Sequence, residues 1–377
     1  MIDRRLFKYF DWWSLLIIIL LSLIGILTIY SATRPISGME QEVFYQKQLY
    51  WFGLSILCVF IFMLFDYTWL KDYGYIIFII GVILLAVVLF IGRTGMGAQR
   101  WLSLGFVSFQ PSEFFKLFFI IALARYMSNL EQAENKQFQF DFLDILKPAG
   151  LFLLVPMVLI MKQPDLGTSL MLLFIFASMV LIAGVKRKVL LLTLAVSLIA
   201  LPFVNHIFWS HLKSYQKNRI IAFLNPDIDP KGIGYQLKQS KISIGSGGFT
   251  GKGYLKGTQG PLRFLPERHT DFIFSIFGEE RGFVGSFFLL FLYLILFLRA
   301  LDTALRARDM FGTFLAIGVT AMMFFYFTTN IGMTLGIMPV VGVPMPFMSY
   351  GGTALLSNYI AVAFLINVRT RRFPIMI

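Results

Sequence analysis

Pro266 through Phe274 reads Pro-Glu-Arg-His-Thr-Asp-Phe-Ile-Phe. It crowds Glu267, Arg268 and Asp271 around His269, where a long polar segment gives way to an apolar one. A carboxylate at such a boundary is costly to desolvate, so its presence points to a task. Desolvation also makes it hold a proton more tightly, which suits it to accept one near neutral pH. The competing reading is that Arg268 and Asp271 only anchor a helix end at the lipid headgroups. Further polar groups stand at other apolar boundaries. Pro111-Ser112-Glu113 reads as a helix start with its acid at the positive dipole end. Glu113 and Lys116, three residues apart, share a helix face and can pair inside an apolar span. Arg100-Trp101 precedes them, and Lys162-Gln163-Pro164-Asp165 stands between two later spans. Asp165 is explained equally well as a helix cap. Pro339, Gly342, Pro344, Pro346, Gly351 and Gly352 break another boundary; such backbone is tolerated at membrane depth only against protein or a wet cavity.

The elements that must position these groups are membrane helices. The chain of 377 residues is 58% hydrophobic and 14% charged, with mean hydropathy +0.76. Repeated apolar runs near bilayer length exclude a water-soluble globule. The expected fold is an all-α polytopic bundle forming one transmembrane domain over residues 1–377. It has about ten spans, near 12–30, 46–65, 72–91, 112–128, 148–161, 166–184, 188–206, 279–299, 312–335 and 350–368. Pro156 should kink the fifth. The first run is too long for a cleavable leader and lacks a small-residue cleavage site. Arg4, Arg5 and Lys8, then Lys71, Arg125, Lys147, Lys186, Arg187, Arg299, Arg306, Arg369 and Arg371 gather at alternate ends. The positive-inside rule therefore places both termini in the cytoplasm and the loop of about 207–278, between spans seven and eight, outside it. The polar groups named above then share the outer side, which implies one outward-open cavity.

Within that loop, Tyr235–Ile244 is expected to lie as an interfacial amphipathic segment. The run Gly245-Ser246-Gly247-Gly248-Phe249-Thr250-Gly251-Lys252-Gly253 fails both phosphate-loop patterns, at Ser246 and Gly253 for one and at Thr250 for the other. It reads as a tightly turning loop. The net charge of +13 follows membrane topology and anionic lipid rather than nucleic acid. A single Cys58 excludes an internal disulfide, and three His with one Cys show no metal-ligand spacing.

These segments together resemble the shape, elongation, division and sporulation (SEDS) family, and within it the rod-shape branch. The resemblance covers nearly the whole chain. It rests on Arg100-Trp101 with Phe109–Glu113, on Lys162–Thr168, on Gln239-Ser240-Lys241 with Gly245–Gly248, on Pro266–Phe274, and on Pro339–Gly352. Val340-Val341-Gly342-Val343-Pro344 carries the rod-shape character. Tyr254 stands where Trp is common, and Met345 and Met348 where Leu and Val are common. The resemblance implies a peptidoglycan glycosyltransferase of the bacterial cytoplasmic (inner) membrane. It would polymerise lipid II into β-1,4-linked glycan strands with loss of undecaprenyl pyrophosphate, for cell elongation. The family's catalytic aspartate falls on Asp271 and its important tryptophan on Trp101. The expected chemistry makes Asp271 the general base for the acceptor hydroxyl. Lys116, Arg100 and Lys162 are candidates to clamp the pyrophosphate. Glu113 would orient Lys116, Arg268 would hold Asp271 ionised, and Asp165 adjoins the same site. No motif demands a cofactor; a divalent cation would also neutralise the pyrophosphate, and no dedicated acidic cluster is seen for one. Expected partners are the growing glycan strand, a class B penicillin-binding transpeptidase and other elongation-complex membrane proteins. A lipid-linked sugar flippase and a non-catalytic scaffold are the alternatives. The polar groups gather on one face and no inverted repeat is seen, which disfavours the flippase.

A rim-binding partner would act by shifting the population of the active cavity. Strand synthesis by the isolated protein should therefore be weak and rise on adding its transpeptidase, as read from glycan length on gels. Equal rates with and without the partner would remove this expectation.

Overall fold

The structure, a computed structural model, describes residues 9–34, 43–95, 98–104, 107–134, 140–186, 188–189, 214–229 and 232–373. Its helices are α1 (Trp12–Thr33), α2 (Phe44–Leu64), α3 (Thr68–Ile91), α4 (Pro111–Glu134) and α5 (Phe142–Lys162). They continue with α6 (Leu166–Ala183), α7 (Ser214–Leu224), α8 (Ile233–Ser246), α9 (Ile273–Leu305), α10 (Met310–Thr334) and α11 (Gly352–Thr370). Eight of these described helices are long and apolar enough to cross a bilayer. The expected span at 112–128 is α4, which fills that length but carries Glu113, Lys116 and Arg125. The expected span at 188–206 lies almost wholly outside the described residues. The chain is a polytopic helical membrane protein. Between α3 and α4, where a loop was expected, the described residues instead form a three-stranded antiparallel sheet of β1 (Arg93–Gly95), β2 (Ala98–Leu104) and β3 (Val107–Phe109). Adjacent short strands satisfy one another's backbone groups, which a bare loop beside the membrane would leave exposed.

Local sequence explains where helices begin. α1, α5, α6 and α10 each start after an aspartate: Asp11, Asp141, Asp165 and Asp309. The side chains of Asp11, Asp165 and Asp309 accept a hydrogen bond from the backbone N–H three residues on, at 3.3, 3.2 and 2.8 Å. Each satisfies a donor the helix cannot. In α5 the break is a π-turn over Ala149–Leu154, between Pro148 and Pro156. The wider turn absorbs the carbonyl that a proline leaves unpaired.

Packing divides the bundle into a centre and a periphery. Over their most apolar stretches α10 and α11 are 72% and 78% buried, against 22% and 28% for α2 and α3. The last two therefore present most of their surface to lipid. One continuous apolar core runs through α1–α6 and α9–α11. A smaller cluster roofs one end: Ala32, Leu237, Leu265, Phe272, Ile276, Met333 and Val340. α8, expected at the interface, is a helix docked on protein. Ser240 Oγ lies 2.6 Å from Ser275 Oγ and donates to Thr334 O at 2.6 Å, and Ser243 Oγ donates to Ser275 O at 3.0 Å.

At the opposite end from this roof, two arginines are held in ion pairs. Arg299 and Arg369 converge on Asp11, which is 5% exposed, and Arg369 also reaches Asp302 at 2.8 Å.

α9 is broken at Gly282 (φ 62°, ψ −159°), and the glycine-rich run is spliced into the break. A continuous helix would bond Phe283 N–H and Val284 N–H to the carbonyls of Glu279 and Glu280. Instead Phe283 N–H donates to Gly248 O (3.0 Å) and Val284 N–H to Phe249 O (3.1 Å). The carbonyls of Glu279 and Glu280 accept from Lys252 and Gly253 N–H, both at 3.0 Å. All four groups are satisfied by exchange. The exchange needs bare backbones in contact: a Cβ on Gly247 would strike Gly278 O, and one on Gly251 would strike Glu280 O. The side chains of Glu279 and Glu280, 0% and 3% exposed, complete the clasp. Glu279 accepts from Lys252 Nζ (2.6 Å), Thr258 N–H (2.9 Å) and Gln259 N–H (3.2 Å). Glu280 accepts from Leu255 N–H at 3.1 Å and from Ser31 Oγ on α1.

Gly282→Ala forces a left-handed backbone on a residue whose Cβ would meet Gly251 N. It should cost about 1–3 kcal/mol, the range for a residue held in a disfavoured conformation. A lowered thermal midpoint in detergent checks this; an unchanged midpoint would mean that the splice contributes little.

Candidate active site

Asp271 stands in the turn that leads into α9. Glu267 adopts φ 52°, and its carbonyl accepts from Thr270 and Phe272 N–H, both at 3.2 Å. The Glu267 side chain accepts from Thr270 Oγ1 at 2.8 Å. Phe272 then plugs the small roof cluster with no exposure at all. The turn is fixed from outside by three successive carbonyls. His269 O accepts from Tyr350 N–H (2.8 Å), Thr270 O from Ser349 Oγ (2.6 Å) and Asp271 O from Asn330 Nδ2 (3.0 Å). Two of those donors lie in the irregular segment between α10 and α11, the third on α10. Gln48 on α2 holds that segment in turn, donating to Ser349 O and accepting from Gly351 N–H, both at 3.2 Å. The His269 ring stacks on Phe44, with centroids 4.2 Å apart.

The Asp271 carboxyl faces Gly342. A Cβ built on that glycine would lie 3.3 Å from Asp271 Oδ2 and 3.7 Å from Arg219 Nη1 of α7. Gly342 has φ 74° and no side chain, so the carboxylate and the guanidinium both approach one bare stretch of backbone. Burial pushes the Asp271 pKa up to about 6; the negative charge of Glu267 adds to the rise, and Arg219 opposes it. The nearby counter-charge is thus Arg219 rather than the expected Arg268. Arg268 is 8% exposed and donates from Nε to Ala32 O at the end of α1, at 2.8 Å. A buried guanidinium there satisfies a helix-terminal carbonyl.

The remaining candidates form two further groups. Glu113 and Lys116 pair at 2.8 Å, as their spacing predicts, and Tyr326 OH of α10 donates to Glu113 Oε2 at 2.9 Å. Lys116 Nζ also meets that hydroxyl. These three side chains are 6%, 1% and 2% exposed, so Lys116 is enclosed by its partners rather than turned to an open cavity. Arg100, on β2, donates from Nε to Gln163 O at 3.1 Å and from Nη2 to Pro164 O, with Asp165 Oδ2 at 3.9 Å. Its side chain stays 27% exposed. Asp165 caps α6, accepting from Thr168 N–H and Oγ1. Trp101 follows Arg100 on β2 and is half-buried, and Lys162 is exposed at the end of α5.

The α10–α11 connection touches the Asp271 and Asp165 groups, and the first turns of α11 touch β3 and the Glu113 group. Gly167, next to the Asp165 cap, packs so closely that its Cβ would lie 3.1 Å from Val343 Cγ2 and 3.4 Å from Val341 O. Thr353 Oγ1 donates to Ser108 O at 3.3 Å, and Ser357 Oγ to Glu113 O at 2.9 Å. The polar groups thus gather around the α10–α11 connection and the start of α11. Among the described residues no group of three or more His, Cys, Asp or Glu is placed to hold a metal ion. Sequence reasoning passed over Arg219, Asn330, Glu279 and Glu280. Asn330 had a signal, an amide inside an apolar span. Glu279-Glu280 had one too, since paired acids inside an apolar helix need partners. Arg219 had none beyond being one more base in a long loop.

Residues 11–373 match the cell cycle protein family of FtsW, RodA and SpoVE. The chain is 42% identical over 296 residues to the peptidoglycan glycosyltransferase MrdB of Escherichia coli K12, covering 78% of this chain and 77% of that one. It is 34% identical to the peptidoglycan glycosyltransferase RodA of Treponema pallidum, covering 96% and 98%. A solved structure described as "Structural coordination of polymerization and crosslinking by a peptidoglycan synthase complex" superposes with TM-score 0.81 at 30% identity, covering 97% of this chain and 98% of that one.

The enclosed Glu113–Lys116–Tyr326 group has a stability signature. Lys116→Met alone leaves Glu113 without its cation and should cost about 3–5 kcal/mol, as for a broken buried pair. Glu113→Gln with Lys116→Met together should recover much of that loss. Thermal midpoints of the four proteins in a double-mutant cycle check it; additive losses would mean that the pair is not coupled.

Proposed function

This chain belongs to the FtsW, RodA and SpoVE family and is a peptidoglycan glycosyltransferase; from that premise we propose that Asp271 is its general base and lipid II its substrate. The carrying observation is the Asp271 carboxyl, held over bare backbone at Gly342 beside the Arg219 guanidinium. The acceptor sugar's 4-hydroxyl gives its proton to Asp271 as its oxygen bonds the anomeric carbon of the donor. The bond from that carbon to the phosphate oxygen breaks, and its electron pair leaves with the undecaprenyl pyrophosphate. Direct displacement inverts the anomeric centre and needs no second nucleophilic carboxylate. A base with pKa near 6 is ionised at neutral pH yet basic enough to pull the proton.

Cations must meet the departing charge. Arg219, nearest Asp271, and the partly exposed Arg100 suit this best; Lys162 is exposed, and Lys116 would first have to leave its enclosed pair. Trp101, beside Arg100 on β2, offers an aromatic face to a sugar. Arg268 and Asp165 act on the site through the backbone they fix. Residues 1–377 act as one transmembrane domain. The site faces outward, with both termini in the bacterial cytoplasm, and the Val340–Pro344 segment assigns the chain to elongation and rod shape. Its partner is a class B penicillin-binding transpeptidase, supported by the similarity to a complex in which polymerization and crosslinking are coordinated.

Labelled lipid II, given to the wild type and to Asp271→Asn with the transpeptidase present, tests the assignment. Long strands from the wild type and none from the variant are expected. Wild-type activity should rise through about pH 6 as Asp271 ionises. Arg219 favours the ionised form, so Arg219→Gln should move that limb to higher pH and lower the rate at neutral pH. Normal strands from Asp271→Asn would move the base elsewhere.

A further inference from the structure

Asn330 sits inside α10 with no exposed surface. Its Nδ2 donates to two carbonyls from different segments, Asp271 O at 3.0 Å and Val343 O at 2.8 Å. Both N–H groups of the amide are thereby committed. Its Oδ1 is buried with no hydrogen-bond partner among the described residues. Such an orphaned acceptor lowers stability, so the amide is not explained by packing economy.

The two carbonyls it joins are informative. One belongs to Asp271 itself. The other belongs to the residue after Gly342, the glycine that the Asp271 carboxyl faces. One side chain therefore fixes the two pieces of backbone whose separation sets where the carboxylate lies. The helix that carries it cannot slide. One turn before Asn330, Tyr326 engages Glu113 of α4. One turn after, the Thr334 carbonyl accepts from Ser240 of α8. Residues four apart lie along one helix face, so α10 presents a polar rib pinned at three successive turns.

We propose that Asn330 is a positioning residue for the glycosyl transfer, holding the Asp271 main chain against Val343 so that the carboxylate stays aligned over Gly342. The inference rests on Asp271 as the base. It predicts a loss of rate rather than of substrate affinity, because a displacement near 1 Å costs on the order of 10²-fold in a reaction that depends on alignment.

The test uses full-length protein with its transpeptidase and compares Asn330→Ala, Asn330→Ser and Asp271→Asn with the wild type. Initial rates on labelled lipid II give kcat and KM across pH, and thermal unfolding reports the fold. Asn330→Ala should lose roughly 10- to 100-fold in kcat with KM changed little. Its acid limb should move below the wild-type position, because a carboxyl released from its buried place is better solvated; Glu267 and Arg219, the charges that face it, remain in place. Asn330→Ser keeps one donor and should recover part of the rate. Unchanged kcat in Asn330→Ala would overturn the proposal. So would a rate loss that tracks the unfolded fraction, with the acid limb unmoved and no recovery in Asn330→Ser. Activity in Asp271→Asn would instead remove the base assignment, and this inference with it, whatever the Asn330 variants do.

Discussion

Irregular backbone at the end of a helical membrane bundle must find its hydrogen bonds inside the protein, and the rest of the site is arranged around that constraint. The α10–α11 connection cannot donate in a regular ladder. Gln48, Asn330 and Ser349 supply the missing groups, while Tyr350 N–H is turned outward to His269. The Pro266–Phe274 turn is tied to the bundle through those same bonds. For the proposed base, geometry and backbone satisfaction are therefore one problem with one solution: the bonds that keep carbonyls 269–271 paired also hold the turn that carries Asp271.

The ionisable groups divide by how they are compensated. Glu113 and Lys116 neutralise each other within hydrogen-bond distance and are closed over by Tyr326. Glu279 and Glu280 are surrounded by donors from one loop and from Ser31 of α1. Asp271 has a less complete environment, with a cation across a glycine and a repelling Glu267 on its own turn. Glu113, Glu279 and Glu280 are thus tightly paired, whereas Asp271, the proposed base, is set between a cation and a repelling acid.

Much of this was legible in the sequence because it depends on local pattern. Hydropathy located most of the described membrane helices, Pro156 marked the one that is interrupted, and Asp165 was read as a helix cap. The spacing of Glu113 and Lys116 foretold their pairing, and the cost of desolvating Asp271 singled it out. What was not legible depends on contacts between distant parts of the chain. Ser31 meets Glu280 across 249 residues and Arg100 meets Gln163 across 63, and neither has a local signature. For the same reason Arg268 looked like the partner of Asp271, being three residues away. The chain direction turns it to Ala32 instead, and a helix from elsewhere brings Arg219. The small sheet was missed because β1 and β3, three residues each, hold too few alternating positions to show a period and leave β2 without recognisable partners.

The break at Gly282 has a mechanical meaning. A long helix crossing a bilayer tilts and shifts when the membrane thins, thickens or curves. Had α9 run unbroken, Asp271 would ride on the end of a lever more than thirty residues long. The splice with Gly248–Gly253 ends that lever at Gly282, and the short piece beyond it is clasped to α1, α8 and α10 rather than to the lipid-facing shaft. The segment that carries the proposed base is thus anchored to neighbouring protein on both sides of Gly282 rather than held at the end of a single rigid rod.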